Sequence, residues 1–423
     1  MRILIVNTSE KIGGAAIAAN RLMDALCNNG IQAKMLVCNK QTDDKNVICM
    51  KGKFQKKWKF VWERVVIWMN NLFNRKNIFK ISIANTGFDI TNLPEFKEAD
   101  IIHLHWINQG MLSLNNIQKI IDTGKPIVWT MHDMWECTGI CHHAYNCHHF
   151  KSTCKNCPFL RFPCKNDLSN QVFDRKKQIF QFAEFHIVTV SQWLAKQVKD
   201  STLLKDKTIT VIPNTLSLSA FKYLGRKESR KNLGLSNQQK IILFGAARID
   251  DPIKGFYILL EAIQYLLTQG IYKRENLHLV TFGKYKYPEK VIPSIPIDHT
   301  DMGWITDNET LSQLYSAADI VISSSLYETF GQTLIEAQAC GCIPISFGNS
   351  GQADIIVHKQ NGYLAKYLSI KSLAAGIEWG IKEGNDIDKN KMREEVINKY
   401  SDNIVAEQYI KLYKKLITQN KDQ

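Results

Sequence analysis

Apolar residues in this chain fall in two series of short, β-branched runs, each run separated from the next by a helical pattern. The first series occupies residues 2–7, 33–38, 100–105, 126–132 and 185–190, and the second 240–245, 277–283, 319–323 and 342–347. Unbroken apolar runs, rather than alternation, mark strands covered on both faces, and the helical stretches between them supply parallel crossovers. Two such series predict two doubly wound α/β domains. The junction is expected near residue 210, where 208–212 gives way to Pro213-Asn214-Thr215 and a basic, less apolar stretch. The expected organisation is therefore a first domain over 1–210, a second over 211–400, and an amphipathic helix over 401–423.

One stretch departs from the strand–helix rhythm. Phe54, Trp58, Val61, Trp62, Val65, Met69, Leu72 and Phe73 recur at spacings of three and four within residues 51–80. Nine Lys or Arg share that stretch with a single acid, Glu63, for a local charge of 9 − 1 = +8. The pattern predicts a basic amphipathic helix over 51–80. Its apolar stripe either lies on an anionic membrane surface or packs on the core while the lysines stay solvated. The whole chain carries +14, but no nucleic-acid recognition motif accompanies the charge, so nucleic acid is not an expected partner. No apolar run reaches the ~18 residues of a membrane span. The run after Met1 is too short for a secretory signal and reads as a buried strand. A cytoplasmic protein, peripheral at most on the inner face of the plasma membrane, is the expectation.

Chemistry should lie at the carboxyl ends of strands, where open α/β sheets bind ligands. After the run 319–323, Glu328 and Glu336 bracket a loop that turns into a helix. Gly331 allows close backbone approach, and Gln332 and Thr333 begin a helix whose free N–H groups and dipole suit a phosphate. Two acids that far apart arise by chance in most proteins; their setting gives them weight. Arg248 and Lys254 follow the run 240–245. Fixed cations there would offset charge developing on a diphosphate leaving group, although surface cations are more often merely solvated. Gly13-Gly14, after the first run, fits a phosphate or sugar approach and a plain tight turn equally well. His132 ends another run and by itself reads as structural.

Taken together, Arg248, Lys254-Gly255, the Glu328–Glu336 pair and Ala339-Cys340-Gly341 resemble the retaining glycosyltransferases of family 4. Val211-Ile212-Pro213-Asn214-Thr215, Tyr315-Ser316-Ala317-Ala318-Asp319, Gly13-Gly14 and His132-Asp133 extend the resemblance over nearly the whole chain. It implies the GT-B fold, with two Rossmann-like domains facing each other across a cleft and a C-terminal helix returning to the first. It further implies a nucleotide-sugar donor, UDP- or GDP-linked, in the second domain and a saccharide or lipid-linked saccharide acceptor in the first. Arg248 and Lys254 would hold the diphosphate, Glu336 the ribose, and Glu328 the transferred sugar. Amides over 331–333 would hold phosphate, Gly283 would lie near the base, and His132 beside the sugar. Ser324 stands where the family often has proline. No Asp-x-Asp motif appears at a strand end, so a catalytic divalent metal is not required. The reading is a glycosyltransferase of cell-surface polysaccharide assembly; a GT-B epimerase or hydrolase, or a non-enzymatic zinc-containing binding protein, is the alternative.

Six of the eleven cysteines lie between Cys137 and Cys164, interleaved with four histidines. Cys141-x5-Cys147-x6-Cys154-x2-Cys157 offers four thiolates, which in a cytosolic chain suggests structural zinc before disulfides. Reduced cysteines packing an ordered loop, or a redox pair at Cys154 and Cys157, stay open.

Overall fold

A computed structural model describes residues 1–421. The chain divides into two units: Met1–Thr215 together with the chain from Val405 onward, and Leu216–Ile404. Each unit is built on one wholly parallel sheet.

In the first unit, seven strands stand in the order β3-β2-β1-β4-β5-β6-β7. They are β1 (Arg2–Val6), β2 (Gln32–Val37), β3 (Val47–Cys49), β4 (Ile101–Leu104), β5 (Ile127–Met131), β6 (His186–Thr189) and β7 (Ile209–Val211). Strand order reverses between β1 and β4, so the loops leaving these two strands diverge and open a crevice at their carboxyl ends. Ile3, Ile5, Met35, Val128 and Val188 join Leu22 and Leu26 of the helix Gly14–Asn28 in the core.

The last helix, Asp402–Lys421, adds Val405, Ala406, Tyr409 and Tyr413 to that same core. Residues 422 and 423 of the expected helix lie outside the described residues. Two of its tyrosines meet buried polar groups. Tyr413 OH is 2.7 Å from His103 Nδ1, and Tyr409 OH is 3.0 Å from Thr130 Oγ1, which in turn lies 2.8 Å from His103 Nε2. An imidazole with both nitrogens engaged has its tautomer and its partners' roles tied together.

In the second unit, six strands stand in the order β10-β9-β8-β11-β12-β13. They are β8 (Lys240–Arg248), β9 (Leu277–Lys284), β10 (Asp298–Asp301), β11 (Ile320–Ser323), β12 (Ile343–Phe347) and β13 (Tyr363–Ala365). The reversal falls between β8 and β11, which pair Ile242 with Ile320 and Leu243 with Val321. A bulge at β8 separates Ala246 from Arg248. Gly283 of β9 sits against it, where an added Cβ would come within 1.8 Å of the Ala246 carbonyl oxygen.

The amphipathic stretch is shorter than its pattern predicts, and most of its apolar stripe does not pack on the core. The helix covers Lys53–Asn70 rather than 51–80, and Leu72, Phe73 and Asn77 adopt positive φ beyond it. The residues it buries are Glu63, Arg64 and Ile67. Glu63 Oε1 accepts from the backbone N–H groups of Ile83 and Ala84 at 2.9 and 3.0 Å, and its Oε2 pairs with Arg64 at 2.8 Å. Arg64 also donates to the Ile81 carbonyl at 2.9 Å. This charged clamp seats the helix, and the aromatic stripe is left outside. Phe54, Trp58 and Trp62 are 79%, 53% and 41% exposed, and the two indoles stack at 5.6 Å.

Burial holds His103, His105, His132 and His186 of this first unit neutral. It drives His103 down to about 3 and His186 to about 4, with nearby His132 and Lys415 respectively adding to the effect. The unfolded chain takes up those protons near the ordinary value of about 6.5, so below that pH the unfolded state binds more protons than the folded one. Stability is therefore expected to fall as pH drops from about 6.5 toward 4, by up to about 1.4 kcal/mol per pH unit for each such histidine. Urea unfolding at pH 7.5 and 5.5, at constant ionic strength, measures this slope, and His103→Gln should flatten it.

Candidate functional site

The loop leaving β8 and the loop leaving β11 start from neighbouring strands at the switch point of the second unit. Backbone contacts lock them together. Leu326 N–H donates to the Ile253 carbonyl at 2.7 Å, and Ser324 Oγ donates to the Gly255 carbonyl at 2.8 Å. Gly255 has φ of +66°, and a Cβ there would stand 2.0 Å from the Ser324 carbonyl oxygen, so only glycine fits. The serine in place of the family's proline thus makes a bond that proline lacks a group to make.

This lock carries Lys254 to Glu328, Nζ to Oε2 at 2.8 Å. Burial alone would lower the Lys254 pKa; the charge of Glu328 and its hydrogen bond override that and raise it. Both side chains keep partial access to solvent. Glu328 is braced from the next loop: its carbonyl accepts from Gly351 N–H at 2.8 Å, and its N–H faces Ser350 Oγ at 3.3 Å. Gln352 reaches Ser323 Oγ and the Ser325 carbonyl from the same segment. Sequence reading missed these supports, because Ser and Gln in a loop after a strand carry no spacing signal.

Just beyond Glu328, Gly331 has φ of +115° and starts the helix Gln332–Ala339 with no side-chain cap. Such a start presents backbone donors and the positive end of the helix dipole. Glu336 lies one turn further, 6% exposed, and accepts from Tyr315 OH at 2.9 Å. Burial, then the charge of Glu336, pushes the Tyr315 phenol well up and keeps it a donor. Arg248 stands apart from the Lys254–Glu328 pair: 46% exposed, it lies 2.5 Å from Asp251 and 3.8 Å from Asp250. Gly283 is placed by the β8 bulge, with its N–H on the Gly303 carbonyl at 2.7 Å. An open hollow of about 530 Å³, lined by Tyr223, Arg226 and Lys389 among others, belongs to the opposite, amino-terminal end of the strands, since Arg226 pairs with Asp319 just before β11.

In the first unit, the candidate residues again gather at the switch point. Gly13, φ +91°, precedes the helix Gly14–Asn28, and an added Cβ at either glycine would meet nothing within 4 Å. His132 follows β5, and its Nε2 is 2.8 Å from Nδ1 of His105, which follows β4. Burial lowers the His132 pKa to about 4, so the ring is neutral at pH 7. Asp133 accepts from Trp106 Nε1 and from His142 Nδ1, both at 2.7 Å. Burial opposes that carboxylate's charge, but His142 outweighs it and lowers the pKa to about 2. His142, from the cysteine-rich excursion, continues to Ser82 Oγ at 3.0 Å. His105 and His142 escaped the sequence reading because they sit in apolar or cysteine-rich runs, where histidine is usually structural.

Cys141, Cys147, Cys154 and Cys157 line one cavity of about 20 Å³. All eleven cysteines are free thiols. Among the described residues, no three His, Cys, Asp or Glu side chains are placed as a ready-made ligand set for an ion. The structure therefore gathers the four predicted ligands without closing them on one point.

Residues 12–219 match the family described as glycosyltransferase family 4, and residues 225–400 match glycosyl transferases group 1. A glycosyltransferase of Methanocaldococcus jannaschii, itself uncharacterized, is 24% identical over 375 residues, covering 80% of this chain and 90% of that one. WcaC of Escherichia coli, whose name assigns it to colanic acid biosynthesis, is 23% identical over 69% of each chain. CapM of Staphylococcus aureus, a capsular polysaccharide biosynthesis glycosyltransferase, is 23% identical over 56% of this chain and 63% of its own. Among solved structures, the sucrose-phosphate synthase of Thermosynechococcus elongatus superposes with a TM-score of 0.68 over 99% of both chains at 17% identity. HepE of Anabaena, solved with UDP and glucose, gives 0.62 over 98% of this chain and 100% of that one at 15% identity. With both halves matched and two parallel-sheet units in place, the chain belongs to the family 4 glycosyltransferases, enzymes of GT-B fold.

Proposed function

We propose that this enzyme transfers a sugar from a UDP- or GDP-sugar to a saccharide or lipid-linked saccharide, with retention, in cell-surface polysaccharide assembly. The observation that carries the reading is the Lys254–Glu328 pair beside the uncapped helix start at Gly331. A cation, a backbone anion site and a carboxylate within one loop cluster suit a ligand that has both phosphates and hydroxyls. Arriving diphosphate competes with Glu328 for the Lys254 ammonium. The released carboxylate then turns to sugar hydroxyls, so donor binding and sugar orientation are linked. As the bond to the anomeric carbon breaks, charge grows on the diphosphate, and Lys254, Arg248 and the amides over 331–333 stabilise it. Glu336, held by Tyr315, is assigned to the ribose, and Gly283 to the approach of the base. Gly13-Gly14 and the neutral His132 are assigned to the sugar and acceptor side. With no carboxylate nucleophile assigned, the departing phosphate takes the acceptor proton, and the protein acts by positioning and electrostatics.

Names of relatives such as WcaC and CapM support the polysaccharide setting. The helix Lys53–Asn70 supports an acceptor held at an anionic membrane: its exposed aromatics can enter the interface while Lys51, Lys53 and Lys57 face lipid phosphates. Lys56 and Lys59 contribute less, since Lys56 Nζ donates to the Cys38 carbonyl and Lys59 lies over the Phe88 ring. No helix among the described residues is long and apolar enough to cross a membrane.

Two measurements test these readings. With a panel of UDP- and GDP-sugars and a lipid extract, release of nucleoside diphosphate should fall by roughly a hundredfold or more in Glu328→Gln and in Lys254→Ala, without loss of fold. Near-normal turnover in either variant overturns the site. Separately, the protein should co-sediment with vesicles rich in phosphatidylglycerol and not with pure phosphatidylcholine. Lys51→Glu, Lys53→Glu and Lys57→Glu together, or Trp58→Ala with Trp62→Ala, should abolish that binding, and unchanged sedimentation rejects the surface.

A further inference from the structure

Six of the cysteines lie in one excursion, and the transferase chemistry above uses none of them. Four of the six come together. Cys141, Cys147, Cys154 and Cys157 are separated by up to 16 residues yet border a single cavity of about 20 Å³. That is little more than one water-sized sphere, which takes ~10–15 Å³. The remaining two do not share it: Cys164 is exposed, and Cys137 is buried beside Ser201. Burial pushes the Cys141 thiol up, with Cys157, Cys154 and Cys147 adding to the rise. Burial likewise raises Cys154 to about 12 and Cys157 to about 11, with Cys147 contributing to both. Four soft, mutually repelling ligands around an atom-sized space are costly to bury as thiolates unless a cation lies between them.

Two backbone donors oppose part of that cost. Gly139 N–H donates to Cys154 Sγ at 3.2 Å, and the Phe159 N–H acts on Cys157 in the same sense. In the tight turn between Cys154 and Cys157, Asn156 holds φ of +49°, which lets two residues three apart face one centre. Beneath the loop, the wholly buried Lys176 lies within electrostatic reach of Cys141 and Cys154, with its Nζ fixed by the carbonyls of Trp135 and Thr138 at 2.5 and 3.0 Å. A divalent ion with four thiolates carries a net charge of −2; burial lowers the Lys176 pKa to about 7, and that added negative charge would favour its ammonium form, which offsets part of the −2.

We propose that Cys141, Cys147, Cys154 and Cys157 bind one zinc ion as four thiolates. Closing the set requires the four sulfurs to move onto a common centre within the cavity, at about 2.3 Å from the metal. Binding displaces four thiol protons to solvent, and no electron is transferred. Four protein ligands leave no open coordination position, so the role is structural. The ion pins the excursion whose His142 holds Asp133, the neighbour of His132. His149 also borders the cavity, but it is exposed and its Nδ1–H lies on the Lys155 carbonyl at 2.7 Å, so it is not a ligand.

Metal content decides this without reference to the transfer reaction. Full-length protein purified without chelators should contain close to one zinc per chain by plasma mass spectrometry. Cys154→Ser and Cys157→Ser should lose it, while Cys164→Ser and His149→Ala should retain it. Should the first two variants fail to fold, the unmodified protein still answers: a mercurial titrated in the presence of a chromogenic chelator should release zinc in step with modification of four thiols. Protein without zinc, iron in its place, zinc retained after loss of Cys154, zinc lost with His149, or release out of step with thiol modification would each overturn the assignment.

Discussion

Parallel pairing of β8 with β11 is the constraint on which the rest of the second unit depends. Because strand order reverses there, the two loops leave adjacent strands toward opposite faces and share one crevice. The close approach of Gly255 to Ser324 turns that proximity into a fixed distance. Lys254 and Glu328, 74 residues apart in the chain, thereby meet at 2.8 Å. The pair is a preorganised but satisfiable arrangement. Each charge is held by the other, so neither is buried uncompensated; the function proposed above has a phosphate and a hydroxyl group take their places.

Two features of the first unit show polar groups doing what an apolar pattern suggests hydrophobic packing should do. The helix Lys53–Asn70 is seated by Glu63 and Arg64 on the 78–84 backbone, and this frees its tryptophans for the surface. The excursion after β5 returns to the sheet through His142 and Asp133, and Ser201 Oγ donates to the Cys137 carbonyl at 2.9 Å. In both places a buried charge with several hydrogen bonds orients a segment that has little core of its own.

Much of the fold was legible in the sequence. Nine strands announced themselves as unbroken apolar runs, because a strand covered by helices on both faces has no polar side to alternate with. The short strands β3, β7, β10 and β13 did not. Asp298–Asp301 reads DHTD, and only pairing with β9 makes it a strand. Nor could periodicity report which face of the basic helix packs. Hydrophobic spacing identifies a face, whereas the burial of Glu63 and Arg64 depends on carbonyls and N–H groups of a segment some 20 residues later.

For the proposed site, residue types and positions after strands nominated Lys254, Glu328, Gly331 and Glu336, and the family resemblance supplied the roles proposed for them. Cysteine spacing likewise singled out four candidate ligands. What only the tertiary structure decided is who meets whom: Lys254 with Glu328 rather than with Arg248, Glu336 with Tyr315, His132 with His105, and four thiols on one cavity. The reason is physical. Strand and helix identity follow from local periodicity, but contacts at a switch point follow from strand order, and strand order is set by long-range pairing that no local pattern encodes.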